Sequence, residues 1–118
     1  MVCNLFELQN EADVETKREL MKEDILNYLN SQKREFREKY HVRKIALIGS
    51  FARDEQSPYS DIDILVDIEE GTPDIFEVKC ALKKEMEQRF GRNVEIASER
   101  YLKPFFRTKI LQEAVYVE

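Results

Sequence analysis

Between Asp61 and Ile68 apolar and polar side chains alternate, and this run constrains the fold more than any other stretch. Successive side chains of a strand point to opposite faces. Ile62, Ile64, Val66 and Ile68 therefore share one face, while Asp61, Asp63, Leu65 and Asp67 share the other. One face enters a core and the other carries acids. The material to cover the apolar face is present. From about Glu15 to Tyr40, Met21, Ile25, Tyr28, Leu29, Phe36 and Tyr40 recur at three- and four-residue steps, the signature of an amphipathic helix. His41, the single histidine, follows its last turn and reads as a C-terminal cap rather than a catalytic base.

Further elements follow by the same logic. Ile45-Ala46-Leu47-Ile48 is a short buried strand closed by Gly49, and a polar helical turn covers Ser50 to Gln56. Ser57-Pro58-Tyr59-Ser60 is loop chemistry. A second amphipathic helix runs from about Asp74 to Phe90 with Ile75, Val78, Leu82, Met86 and Phe90 as its stripe, and Gly91 ends it. Val94-Glu95-Ile96-Ala97 is a third strand, and Pro104 opens a closing helix to about Glu113. At 118 residues with no linker or repeat, the chain reads as one domain, residues 1–14 being expected as a flexible terminus.

Charge narrows the partners. A formal net charge of −5 argues against a nonspecific grip on long nucleic acid, which needs a basic face. A small phosphorylated ligand remains open, because a bound cation can supply positive charge locally. Cys3 and Cys80 lack metal-site spacing and read as two reduced thiols. No apolar run approaches the ~18 residues of a membrane span, and Met1 to Asn10 lacks the pattern of a signal peptide. A soluble, cytoplasmic protein is expected.

Two features carry chemistry. Gly49-Ser50 joins a strand to a helical turn, a place where free backbone N–H groups and a hydroxyl meet phosphate oxygens. Arg53 is the nearest fixed cation, read either as a phosphate contact or as half of a surface pair. Asp61 and Asp63 lie on one side of a strand with Cα atoms about 6.6 Å apart. Two carboxylates so placed repel unless a cation bridges them, and Mg²⁺ favours one or two carboxylates completed by substrate phosphates. Alone, either feature is common. Together they are rare.

The text Ile48-Gly49-Ser50-Phe51-Ala52-Arg53, then Ser60-Asp61-Ile62-Asp63-Ile64-Leu65-Val66, resembles the DNA polymerase β-like nucleotidyltransferase superfamily. It is most similar to the minimal, single-domain members, often found as antitoxin partners of HEPN-domain proteins. The likeness runs from about Ile45 to Val117, including Leu102-Lys103-Pro104 and Ile110 to Val117. It implies an α+β, two-layer fold, a small mixed sheet with helices mainly on one face. It also implies a nucleoside triphosphate held by Gly49 and Ser50, and two Mg²⁺ ions on Asp61 and Asp63. A nucleoside monophosphate, AMP by analogy, would pass to a hydroxyl on a partner protein, a HEPN toxin. Self-association is left open.

Two departures bear on activity. The family's third metal-binding carboxylate falls on Glu95, where relatives carry Asp; the added methylene shifts the carboxylate by roughly 1 Å, enough to cost about a hundredfold in rate. Glu95 is therefore read both as a third metal ligand and general base and as a surface group. Asp54 replaces a usual Gly and brings another negative charge near the triphosphate. Two functions follow: an active nucleotidyltransferase, or a weakened module that acts by covering its partner.

Overall fold

The computed structural model describes residues 19–117. The expected terminus, Cys3 and the first part of the first predicted helix lie outside them. Helix α1 spans Lys22–Tyr40, and its start is fixed by the Met21 N–H donating to Asp24 Oδ2 at 2.8 Å. His41 ends it in the left-handed region (φ 61°), its N–H turned back to the Arg37 and Phe36 carbonyls, so the cap reading holds. Strand β1 is Val42–Ile48, the four-residue helix α2 is Gly49–Ala52, and β2 is Ile62–Ile68. Helix α3 covers Ile75–Phe90 and β3 covers Val94–Ser98. A 3₁₀ turn at Glu99–Tyr101 leads to helix α4, Pro104–Glu113, and to a two-residue strand β4, Val115–Tyr116.

The four strands form one mixed sheet in the order β3-β2-β1-β4. β1 runs antiparallel to β2 and β4, whereas β2 and β3 are parallel, with α3 as the crossover between them. This is the α+β fold class expected.

The alternation of β2 sorts the core as its sequence dictates. Ile62, Ile64, Val66 and Ile68 meet Ile25, Leu29 and Phe36 of α1 and Leu82 and Met86 of α3, all buried. Leu65 faces the other way and joins Ala46 and Ile48 beneath Ile110, Leu111 and Ala114 of α4. Two helices cover one face and the closing helix covers the other. That second, thinner layer is the one beside the acids.

Phe36 is fully buried, edge-on to Tyr28 with ring centroids 6.2 Å apart. Phe36→Ala is expected to cost about 3–5 kcal/mol, measured by urea unfolding, a large part of the total for a domain this size.

Candidate active site

Asp61 is positioned from both sides. Before it, the Ser57 N–H donates to Ser60 Oγ at 2.8 Å, and Arg92 Nη1 donates to the Ser60 carbonyl at 3.0 Å. After it, the Ile62 N–H donates to the Asn93 carbonyl at 3.0 Å. Asp63 lies one step inside β2, where its register partners are Ile48 of β1 and Glu95 of β3. Gly49 follows Ile48 directly. Three strands thus bring Gly49, Asp63 and Glu95 to one level of the sheet, and alternation turns both acids toward the α4 side, with Leu65 and Ala97.

Gly49 explains why the turn has this sequence. Its φ is +78°, and a Cβ built there would run into the Asp63 carboxylate. The backbone conformation and the close approach both require glycine. The Ser50 hydroxyl beside it has no hydrogen-bond partner among the described residues.

The site is electrostatically unbalanced. Burial pushes the Asp63 carboxyl above its ordinary value of 3.8, and the charges of Asp61, Glu95 and Glu113 push the same way; Arg53 alone opposes them. Among the described residues neither the Asp61 nor the Asp63 carboxylate has a hydrogen bond or an ion pair. Such a site is short of positive charge.

Other residues are engaged. Glu95 is 60% exposed; its Oε2 accepts from Asn93 Nδ2 at 2.7 Å and lies 3.9 Å from Lys83 Nζ. Arg53 pairs with Glu55 at 2.9 Å and with Glu113 at 3.0 Å, so the surface-pair alternative describes it as it stands. The Gly49 N–H, expected open to a phosphate, donates to Glu113 Oε2 at 2.9 Å. Asp54 is in the left-handed conformation (φ 59°), which Asp tolerates better than most residues, with Lys22 3.7 Å from its carboxylate. Asp67, on the acid-bearing face of β2, does not stand in solvent: its side chain is 12% exposed, 3.2 Å from Arg100 and 3.8 Å from Arg43.

Sequence reasoning missed Glu113, Arg92 and Lys83. Glu113 reads only as the end of the closing helix and Lys83 lies off the apolar stripe of its own; the packing of α4 and α3 against the sheet brings them to the site. The Gly91-Arg92-Asn93 break was visible, yet its approach to Ser60 depends on β2 and β3 being neighbours.

The donor set bears on a cation. Asp63 on β2 and Asp61 just before it are acids whose carboxylates have no partner among the described residues. The charge of Asp61 adds to the burden on Asp63, and a divalent ion completed by phosphate oxygens would relieve it. Against this, no group of three His, Cys, Asp or Glu side chains among the described residues is set to hold a metal. The Glu95 carboxylate is engaged instead by Asn93, with Lys83 3.9 Å away. A groove of about 690 Å³ rimmed by Lys33, Arg34, Arg37, Arg43 and Lys44 involves none of these acids; it lies at the opposite end of β1. The acids sit on an open face.

Comparison with known proteins now bears on this geometry. A family model described as a nucleotidyltransferase domain matches residues 29–117. The chain belongs to the nucleotidyltransferase domain family. It is 37% identical over 95 residues to the protein adenylyltransferase MntA of Thermococcus cleftensis, covering 80% of this chain and 94% of that one. A Methanocaldococcus jannaschii relative, provisionally named a protein adenylyltransferase, is 33% identical over 95 residues, covering 80% and 95%. A solved structure provisionally described as a minimal nucleotidyltransferase superposes with a TM-score of 0.67 at 30% identity, covering 81% of this chain and 95% of that one. A toxin–antitoxin structure with AMP-PNP superposes at 0.60 and 18% identity, covering 84% and 73%, which speaks to fold alone. Among the described residues no helix is long and apolar enough to cross a membrane.

The raised Asp63 carboxyl gives a stability prediction. A folded-state value above the unfolded one means stability is fully present below the unfolded value and is lost as pH rises through the folded value. Without metal, Asp63→Asn is therefore expected to melt above the parent protein at about pH 7.5, and the gap should close toward about pH 4. Thermal unfolding in chelator at the two pH values checks it. An unchanged or lower melting temperature at the higher pH would contradict the unbalanced charge.

Proposed function

We propose that this nucleotidyltransferase transfers AMP from ATP to a hydroxyl on a protein acceptor, and that it does so with Mg²⁺ at Asp61 and Asp63. The observation that carries the reading is the packing of the Asp63 carboxylate against the Gly49 Cα, with Glu95 at the same register level. A phosphate on the Gly-Ser turn then lies beside two unpartnered acids. Sequence similarity to protein adenylyltransferases supports AMP as the group and a protein as the acceptor.

Asp61 and Asp63 would hold the ions, which supply charge neutralisation for the attacking and leaving oxygens. The Ser50 N–H and hydroxyl bind phosphate oxygens and orient the triphosphate. Glu95, released from Asn93 and Lys83, accepts the proton of the acceptor hydroxyl. The acceptor oxygen bonds to the α-phosphorus as the bond to the β-phosphate oxygen breaks, and pyrophosphate leaves. In this arrangement the chain contributes mostly position and field.

A partner chain is part of the proposal, a HEPN-type toxin in line with the sequence resemblance. The acids lie on an open face, and the described residues include a cluster of exposed aromatics at the start of α4. Tyr101, Phe105 and Phe106 are exposed, and the two Phe rings stack edge to face at 5.0 Å. Aromatic surface of this kind suits a protein contact. A second reading, a binding module without turnover, is favoured by one observation: Glu95 is already occupied by Asn93 and Lys83.

Labelled ATP, Mg²⁺ and the product of the adjacent gene separate the two. Transfer predicts a mass gain of one AMP on the partner, lost by at least about a hundredfold in Asp61→Asn and Asp63→Asn. A stable complex without that gain would sink the enzymatic reading and leave the binding one.

A further inference from the structure

Helix α4 ends on Glu113, whose side chain is 15% exposed and reaches back into the Gly-Ser turn. Oε2 accepts the Gly49 N–H at 2.9 Å, and Oε1 accepts Arg53 Nη1 at 3.0 Å. One carboxylate therefore ties the first and last residues of the tight turn that follows β1, and the Arg53 N–H closes the same turn on the Gly49 carbonyl at 3.1 Å. Beyond Ala114 the chain enters β4, which pairs with Ala46 and Leu47 of β1. The clamp thus closes on the strand that carries Gly49: both of its ends are rooted in β1.

The position is an expensive one for an acid. The Glu113 charge is among those that push Asp63 upward, so placing it here adds to the repulsion within the site. Its two hydrogen bonds, both to strong donors, offset that cost. They also spend Arg53, which Glu55 engages from its other side at 2.9 Å. With the Gly49 N–H and Arg53 both taken, the N–H and hydroxyl of Ser50 are the next donors along the turn for a phosphate.

We infer that Glu113 is a positioning residue. It fixes the Gly49 amide and Arg53 so that the Ser50 donors face the phosphates, and it sets affinity for the triphosphate tail rather than for the nucleoside. This rests on the nucleotidyltransferase reading above and adds to it a residue that touches neither metal nor nucleotide. A rival account gives the opposite result. If the carboxylate merely occupies the place of a phosphate, removing it strengthens triphosphate binding.

The test uses the full chain and Glu113→Ala, Glu113→Gln and the double variant Glu113→Ala/Arg53→Ala. Gln keeps an acceptor for the Gly49 N–H but loses the charge opposite Arg53. Without nucleotide, amide exchange followed by NMR should be at least about tenfold faster at Gly49 in Glu113→Ala, and less so in Glu113→Gln. With Mg²⁺, the Kd for ATP should rise about tenfold in Glu113→Ala and by an intermediate factor in Glu113→Gln. The Kd for AMP should stay within about twofold, which general loosening of the fold would not allow. The double variant should be no weaker than Glu113→Ala, because both residues act through one clamp. Should Glu113→Ala fail to fold, Glu113→Gln carries the same comparison. Unchanged Gly49 exchange, or ATP binding that is unaltered or tighter while the parent binds ATP, overturns the inference. A parent protein that binds no ATP at all instead overturns the nucleotidyltransferase reading and this role with it.

Discussion

Much of this structure follows from how closely β2 approaches the turn after β1. The Asp63 carboxylate lies where a side chain of residue 49 would be, so the two strands can hold this register only with glycine there. That contact fixes the Gly-Ser turn relative to the acids. It also aligns Glu95 on the neighbouring parallel strand. The hydrophobic layers serve the same end. α1 and α3 hold one face of the sheet rigid, while α4 covers only part of the other and leaves its acidic end open.

The cost of this geometry is electrostatic. Three acids, Asp61, Glu95 and Glu113, act on Asp63, and among the described residues Arg53 is the chief counter-charge. Elsewhere the same chain neutralises a comparable acid: Asp67, four residues beyond Asp63 on the same face of β2, has Arg43 and Arg100. The contrast between two aspartates on one face of one strand is informative. One is satisfied by the fold and contributes to it. The other is left for something the fold does not contain. Such local imbalance is typical of sites where stability is given up for function.

Much of this was legible in the sequence, and for identifiable reasons. The alternation of β2, the stripes of α1 and α3, the cap at His41 and the Pro104 start of α4 are local patterns, set by the period of each element. The pairing of Gly49-Ser50 with Asp61 and Asp63 was also readable, since one β-hairpin-like unit carries all four. What the sequence hid is non-local. β4 has two residues and no pattern of its own; it exists because β1 offers an edge. The start of β1 at Val42 was hidden by the exposed Arg43 and Lys44. The hydrogen bonds of Asp67 to Arg100, and of Arg53 and Gly49 to Glu113, join residues 33 to 64 positions apart. Glu95 fell between the two cases: its strand and its face were readable, its hydrogen bond to Asn93 was not.

On the proposed function, cations gather where Asp61, Asp63 and the Gly-Ser turn meet. Paramagnetic broadening by Mn²⁺ in the presence of ATP, read residue by residue from backbone NMR, addresses it directly. The account predicts broadening centred on the amides of Gly49, Ser50 and Ile62 to Ile64, with Glu95 next, and sparing of the Val42–Ile45 end of β1. Broadening centred anywhere else, or none with ATP present, would contradict it.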